Sequence, residues 1–278
     1  MTVLTRGLLL LIAAAVLMGC QSRRISEQTV YVEREVETIY AAGIQQLERR
    51  SYTDAADQFD EVERQHPYSE WARRAMLMAA YSNYQAGNYE EAISDAERFI
   101  ALHPGNRSAP YAYYLVAISH FEQILDVGRD QQATLNALNA LEQVVRRYPT
   151  SRYAQDARLK IDMTRDHLAG KEMRIGRWYL RRGFYLAAIN RFRNVLREYE
   201  TTTHTPEALH RIVESYVALG IDQEATEVAA VLGYNFPGSS WYEDTYRLMT
   251  EEGIAIPNPD LEPENPSYWQ RAMDRLFG

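Results

Sequence analysis

The chain has 278 residues, 46% of them apolar and 24% charged, with a formal net charge of −8 at pH 7. This composition is ordinary for a globular protein, and the acidic total argues against nucleic acid as the main ligand. A single cysteine excludes a disulfide framework.

Residues 1–19 have the features of a secretion signal. Arg6 precedes an apolar run from Leu8 to Met18, and Gly19 stands directly before the only cysteine, Cys20. An apolar core of about ten residues is too short to span a bilayer, which needs about 20. We therefore expect the segment to be removed. Its end resembles the lipobox of bacterial lipoproteins, although an ordinary signal followed by an incidental free cysteine is an alternative.

In a lipobox, signal peptidase cuts before the cysteine, which then carries lipid. The prediction for Cys20 is a covalent diacylglycerol and an N-acyl chain, with no other cofactor. Several acyl chains would hold the mature protein firmly at a membrane surface. Gln21 follows, rather than the Asp that retains many lipoproteins in the inner membrane, and this favours the outer membrane with the globular part in the periplasm. Residues 20–35 are predicted to be a lipidated linker.

A helical pattern recurs five times along the rest of the chain. Each copy has alanine three residues after its first residue and apolar residues seven and ten after it. Residues at this spacing lie on one face of a helix. Proline follows in four copies and ends the helix. The five copies begin at Tyr52, Tyr89, Thr134, Tyr185 and Asp222.

A second apolar run precedes each of these helices. Small residues, Gly43, Ala80 and Gly176, stand nine positions before Tyr52, Tyr89 and Tyr185 and predict a close helix crossing. Each unit therefore reads as a helical hairpin that resembles the tetratricopeptide repeat. The predicted fold is all-α: an α-solenoid of about five tetratricopeptide-like hairpins over residues 36–250, with a C-terminal capping helix at 241–249.

The third and fourth units are longer than the others. In the fourth, a helical run over 151–168 is expected to end before Gly170, and residues 174–182 then resume the hairpin. After the cap, residues 251–278 form a proline-rich acidic tail that ends in a predicted short amphipathic helix.

No catalytic or metal-binding constellation is visible, so we predict a non-enzymatic binding protein. The six histidines lack metal-ligand spacing, and there is no phosphate-binding glycine loop or serine nucleophile motif. Aromatic residues with polar tips concentrate in the second and third repeats, where they suit an interface, although packing between helices is an equal alternative for any one tyrosine. The candidate peptide-binding residues are Tyr68, Trp71, Tyr81, Tyr84, Arg107, Tyr111 and Tyr114. Arg107 could meet a peptide carboxylate bidentately.

A second candidate surface is basic. The stretch 146–197 carries 14 basic and four acidic residues, a net of +10. A solvated face paired with local acids is one interpretation. The other interpretation is that acidic residues of a partner balance the positive charge, since few acids lie in the stretch itself. The candidate partner-binding residues are Arg174, Arg177, Arg181 and Arg191.

Several motifs together resemble the BamD family of outer-membrane lipoproteins, part of the β-barrel assembly machinery. The motifs are His-Pro-Tyr-Ser at 66–69, Tyr-Pro-Thr-Ser-Arg-Tyr-Ala at 148–154 and Trp-Tyr-Leu-Arg-Arg-Gly-Phe-Tyr-Leu-Ala-Ala at 178–188. The resemblance covers about residues 36–249. It implies a non-enzymatic subunit at the periplasmic face of the outer membrane. Its C-terminal repeats would bind the barrel subunit BamA within the assembly machinery, and its N-terminal repeats would receive unfolded barrel precursors.

Two other hypotheses belong to different classes. A tetratricopeptide lipoprotein scaffold for cell-division or peptidoglycan-linked complexes would share the lipobox and the repeats. A lipoprotein hydrolase would need a catalytic constellation that the sequence does not display.

Overall fold

The computed structural model describes residues 33–255. The predicted signal, Cys20, most of the linker and the tail from residue 256 lie outside the described residues. Every described helix belongs to one compact unit that begins at Val36. Between residues 33 and 255 the chain forms eleven helices and no strand.

The helices form five consecutive antiparallel pairs and a final single helix, which confirms the predicted fold class. Their bounds, in chain order, are α1 Val36–Glu48, α2 Tyr52–Gln65, α3 Glu70–Ala86, α4 Tyr89–Leu102, α5 Ala109–Glu122, α6 Gln132–Arg147, α7 Arg152–Leu180, α8 Tyr185–Glu198, α9 Thr205–Ala218, α10 Asp222–Asn235 and α11 Ser240–Glu251.

The repeated pattern marks the second helix of every pair. Its residues at the third, seventh and tenth offsets, from Ala55 in α2 to Leu232 in α10, are at most 1% exposed. Where proline follows, the helix ends two residues before it, as α2 does at Gln65 before Pro67. In three of these turns a serine starts the next helix. The Ser69 and Ser151 hydroxyls accept hydrogen bonds from the backbone three residues on, and the Ser239 hydroxyl accepts one from the backbone two residues on.

The small residues at the crossing points hold paired helices close together. A Cβ on Gly43 of α1 would lie 2.7 Å from the Phe59 ring of α2, and one on Gly176 of α7 would lie 2.4 Å from the Phe192 ring of α8. Both rings are fully buried. The close approach predicted for these two glycines is therefore confirmed, because no larger residue fits without displacing a core phenylalanine.

The predicted helix end before Gly170 is wrong, because α7 runs unbroken through it for 29 residues. Leu168, Ala169 and Gly170 are all buried. A Cβ on Gly170 would lie 3.3 Å from both His204 and Val127, so tertiary contacts surround this turn. Burial of the neighbouring side chains outweighs the roughly 1 kcal/mol that glycine costs inside a helix.

Helix α11 caps the last pair, as predicted. Its Thr245 hydroxyl donates to the Trp241 carbonyl at 2.8 Å and lies 2.8 Å from Nδ1 of the buried His210 in α9. Since the hydroxyl has one proton, Nδ1 of His210 is the donor in the second bond. The His210 ring also lies against the Trp241 ring, with centroids 5.3 Å apart.

Candidate functional site

The structure brings four of the predicted aromatic residues together at the junction of the second, third and fourth hairpins. Tyr81 and Tyr84 of α3 and Tyr111 and Tyr114 of α5 are half-buried around the same hydrophobic cluster. A fifth ring joins them from α7, since the Tyr153 centroid lies 5.5 Å from that of Tyr111 and 5.2 Å from that of Tyr114. We refer to these five residues as the tyrosine cluster.

Two hydroxyls of the tyrosine cluster donate to carboxylates of the same chain. Tyr114 donates to Asp156 at 2.6 Å, and Tyr84 donates to Glu122 at 3.3 Å. Burial, together with the nearby Glu122 carboxylate, raises the pKa of Tyr84 to about 12. Burial and the Asp156 carboxylate likewise raise the pKa of Tyr114. Both phenols are therefore neutral at physiological pH, and the cluster offers ring surface to a ligand more than free hydroxyls.

Three predicted peptide-binding residues lie outside this cluster. Tyr68 is 99% exposed in the turn between α2 and α3. The Trp71 ring packs 4.8 Å from that of Tyr40 in the core of the first hairpin. Arg107 lines a separate cleft with Arg73 and Arg74. Sequence reasoning assigned no binding role to Tyr153, although it lies in the first turn of α7 as Tyr111 lies in the first turn of α5.

Three of the four predicted partner-binding arginines pair with acids of the same chain. Nη1 of Arg177 lies 2.9 and 2.8 Å from the two carboxylate oxygens of Glu207 in α9. Arg191 donates to Glu172 at 3.2 Å, and Arg174 lies 3.7 Å from Asp126.

The acids that pair with the basic stretch come mostly from outside it. Glu207 on α9 and Asp126 in the loop after α5 are two examples, and Glu142 of α6, which bonds Arg165 at 2.9 Å, is a third. Counting charges along the chain therefore overstates the free positive charge of this region, because stacking of hairpins brings in distant carboxylates.

One exposed apolar part of this region lies around the turn between α7 and α8. Trp178, Phe184 and Leu186 are 41%, 55% and 66% exposed. The guanidinium of Arg182 lies 3.9 Å from the centre of the Trp178 ring. Arg181 is also exposed in this turn. These five residues, which we call the α7–α8 surface, combine uncovered apolar area with two arginines. The sequence feature that indicates the α7–α8 surface is the presence of large apolar residues at a turn.

None of the helices between residues 33 and 255 has the length and apolar character needed to cross a membrane. Within the same range, no group of three or more His, Cys, Asp or Glu side chains is arranged to hold a metal ion.

These features define a helical-repeat protein with two candidate surfaces for macromolecular partners. The model of the YfiO outer membrane lipoprotein family matches residues 32–232, and the chain belongs to this family.

Two curated relatives are named outer membrane protein assembly factor BamD. The protein of Caulobacter vibrioides is 53% identical over 266 residues, which cover 96% of this chain and 86% of that one. The protein of Rickettsia prowazekii is 46% identical over 240 residues, which cover 86% of this chain and 94% of that one. Among solved structures, a thermophilic tetratricopeptide-repeat protein of Thermus thermophilus is 16% identical with a TM-score of 0.36, over 80% of this chain and 100% of that one.

Proposed function

We propose that this protein is a lipid-anchored adaptor of the outer-membrane β-barrel assembly machinery, held at the periplasmic face of the outer membrane. It binds unfolded barrel precursors through the tyrosine cluster and the BamA barrel subunit through the α7–α8 surface, and it catalyses no reaction. The observation that carries this proposal is the 53% identity to an outer membrane protein assembly factor over 96% of the chain. Lipid on Cys20 supplies the anchor.

The tyrosine cluster suits an extended, aromatic-rich segment of a precursor. Tyrosine rings bury large areas at low entropic cost, and aromatic pairs contribute about 0.5–1.5 kcal/mol beyond their buried area. The rings of Tyr111, Tyr114 and Tyr153 form one contiguous half-exposed surface across two neighbouring hairpins. Because they hold each other in place, little ordering is needed when a peptide binds.

The α7–α8 surface suits a folded protein partner. Aromatic and arginine side chains dominate binding energy at protein interfaces, and this surface has two exposed aromatic rings with Arg181 and Arg182 beside them. Two ion pairs hold the helices that carry this surface. Arg177 of α7 pairs with Glu207 of α9, and Arg191 of α8 pairs with Glu172 of α7.

The precursor site is tested with Tyr81→Leu combined with Tyr84→Leu, which removes ring surface while conserving most of the packing volume. We expect photo-crosslinking to a barrel-precursor peptide to fall several-fold while BamA co-purifies normally from membranes. The matched control is Tyr113→Leu, because Tyr113 is equally half-buried on α5 but packs on Tyr148 outside the cluster. Unchanged crosslinking in a folded double variant would refute this site.

The partner surface is tested by replacing both of its arginines with glutamate in one variant. We expect Arg181→Glu with Arg182→Glu to abolish co-purification of BamA and to leave precursor crosslinking intact. The control is Arg197→Glu, an exposed arginine of α8 outside the surface. If BamA still co-purifies with the double variant at the wild-type level, the α7–α8 surface is not the BamA site.

A further inference from the structure

The α7–α8 surface is uncovered within residues 33–255. Its three large apolar side chains, those of Trp178, Phe184 and Leu186, are all exposed. Both of its arginines are exposed as well, and in this part of the chain neither forms an ion pair. An exposed apolar patch of this kind marks a binding site, and two unpaired positive charges beside it favour an acidic, apolar occupant.

The described chain ends at the same end of the helical stack as this surface. Because successive helices are antiparallel, the α7–α8 turn, the α9–α10 turn and the end of α11 lie on one side. After α11, Ile254 packs against the buried core of α7–α11, and the Ala255 carbonyl accepts a hydrogen bond from the Thr226 hydroxyl of α10 at 3.4 Å. Leu219 in the α9–α10 turn adds exposed apolar area there. The chain that follows residue 255 therefore starts at the end of the stack that carries the α7–α8 surface.

The tail from residue 256, which lies outside the described residues, has the complementary composition. Residues 256–266 contain four prolines and three acids, with no basic residue. Residues 267–278 carry the apolar part, in which Trp269, Met273, Leu276 and Phe277 recur at helical spacing. A short helix with one apolar face is a common ligand of apolar grooves. The tail thus supplies both the negative charge and the apolar face that suit the surface.

The proline-rich part of the tail is long enough to reach the α7–α8 surface. Helix α9 packs against both α8 and α10. Neighbouring helix axes lie about 8–10 Å apart, so α8 lies within about 20 Å of α10. An extended proline-rich chain rises by about 3.1 Å per residue, so residues 256–266 span about 34 Å. The apolar part can therefore lie on the α7–α8 turn while the acids lie near the arginines.

The cap offers a competing exposed aromatic residue, Tyr246 of α11. The arginine next to it, Arg247, is already paired with Asp244. Arg181 and Arg182 have no such partner within residues 33–255. Charge complementarity therefore favours the α7–α8 surface as the place where the acidic tail docks.

We propose that the tail, residues 256–278, folds back over the α7–α8 surface of its own chain and must leave before a protein partner binds there. The apolar face that carries Trp269 covers Trp178 and Phe184, and the acids of the tail approach the two arginines. The covering stands by itself, whereas its effect on BamA rests on the proposed function. A tail docked about nine-tenths of the time leaves about one molecule in ten open and weakens partner binding about tenfold.

The covering is tested by the reactivity of the two arginines toward phenylglyoxal, which modifies accessible guanidinium groups. The full mature chain is used with Cys20→Ser, so that neither lipid nor detergent competes for apolar surface. Trp269→Ser combined with Phe277→Ser removes the apolar contacts of the tail. We expect modification of Arg181 and Arg182, followed by peptide mass spectrometry, to become about tenfold faster, since the surface is then open in every molecule.

A second variant and two controls separate the causes. Asp260→Asn with Glu262→Gln and Glu264→Gln removes the negative charge and should raise the same rates several-fold. Arg271→Gln, on the polar side of the same segment at helical spacing, should leave them unchanged. Arg197 of α8, which is exposed outside the surface, is the internal reference in every sample. Circular dichroism checks each fold, and every tail substitution lies outside the eleven described helices.

The effect on the partner is tested by titrating the same tail variants with purified BamA. Arginine modification and BamA binding both require the open surface. Release of the tail should therefore raise the modification rate and the affinity for BamA by the same factor.

Each contrary outcome has a defined meaning. Equal arginine reactivity in the wild type and in both tail variants overturns the proposal. Protection that disappears when the wild type is diluted also overturns it, because the tail then comes from a second copy. If the reactivity rises without a change in BamA affinity, the covering stands and the BamA site of the proposed function is overturned.

Discussion

The first three hairpins and the last two are stabilised in different ways. Residues of α1–α6, with the start of α7, form four small hydrophobic clusters of four to six buried residues each, and partly buried residues such as Tyr111 and Ala140 link neighbouring clusters. From the middle of α7 to α11, 18 buried residues form one cluster. In repeat proteins each unit contacts only its neighbours, so small cores permit local opening while a single large core unfolds as one. The region proposed to receive precursors is thus the modular one.

Polar contacts between hairpins are of two kinds. Arginine–carboxylate pairs are found in both regions, and in the first region Arg98 of α4 donates to Glu63 of α2 at 3.1 Å. In the first region, tyrosine hydroxyls donate to carboxylates, as Tyr114 does to Asp156. In the second region, arginines pair with glutamates across helices, as Arg177 does with Glu207, whose side chain is only 12% exposed. Helix α7 belongs to both regions, since its first half lies in the last of the small clusters and its second half in the large one. Its unbroken 29 residues therefore connect the modular part to the cooperative part.

The largest expected effect comes from equivalent core phenylalanines in the two regions. Phe192→Ala and Phe59→Ala each remove a fully buried ring, at a cost of about 3–5 kcal/mol of unfolding free energy. We expect Phe192→Ala to shift the whole unfolding transition of the second region, and Phe59→Ala to produce an early transition confined to the first hairpin. Hydrogen exchange followed residue by residue separates these outcomes. Uniform loss of protection in both variants would contradict the division into two regions.

An intermediate effect is expected from the ion pair that docks α9 on α7. Arg177→Met should lower the unfolding free energy by about 1.5–3 kcal/mol, because it leaves the nearly buried Glu207 carboxylate with only a 3.5 Å contact to Arg211. Arg181→Met is the control, since Arg181 is exposed and should cost less than about 0.5 kcal/mol. Urea denaturation measures both. If the two variants prove equally stable, the pair contributes nothing to the second region.

The smallest expected effect depends on pH and is confined to the second region. Burial, reinforced by the charge of Arg211, lowers the pKa of His210, while Glu214, Asp244 and Glu207 oppose this shift. The folded state therefore favours the neutral ring. The neutral His210 ring makes its full contribution to the free energy of unfolding above pH 6.5 or so, because histidine in the unfolded chain has a pKa of about 6.5. This contribution is lost as the pH falls below that value. Thermal unfolding between about pH 8 and pH 5 should show this loss.

His210→Gln provides the control for that titration, since glutamine keeps a donor for Thr245 but cannot ionise. We expect this variant to lose the His210-dependent part of the slope. Hydrogen exchange of α3 and α5, which lie in the first region, should be insensitive to the same substitution. A wild-type pH slope that survives His210→Gln would assign the dependence to other groups.

Much of the architecture was predictable because it depends on local chemistry. Alanine and apolar residues at helical spacing mark the buried face of each second helix, from Ala55 to Leu232. Prolines end helices because they have no N–H group, and Gly43 marks a crossing because only a missing side chain leaves room for the Phe59 ring. These effects act within a helix or between the two helices of one hairpin.

The candidate binding surfaces were predictable only in part. The tyrosines at 81, 84, 111 and 114 do lie together, since the residue types that suit an interface also pack between neighbouring hairpins. Tyr68, Trp71 and Arg107 do not join them, because they occupy a turn, a core and a separate cleft. Proximity along the chain could not separate these three environments.

The sequence by itself therefore determined the helices, their pairing into five hairpins and the position of the cap, since these follow from periodicity, chain breakers and side-chain size. Only the tertiary structure decided that α7 continues through Gly170, that Glu207 neutralises Arg177 and that Tyr153 joins the tyrosine cluster. Each of these depends on contacts between residues of different hairpins or on burial of a whole helical turn. Such contacts leave no periodic signal in the chain, because their free energy appears only when the stacked helices are in place.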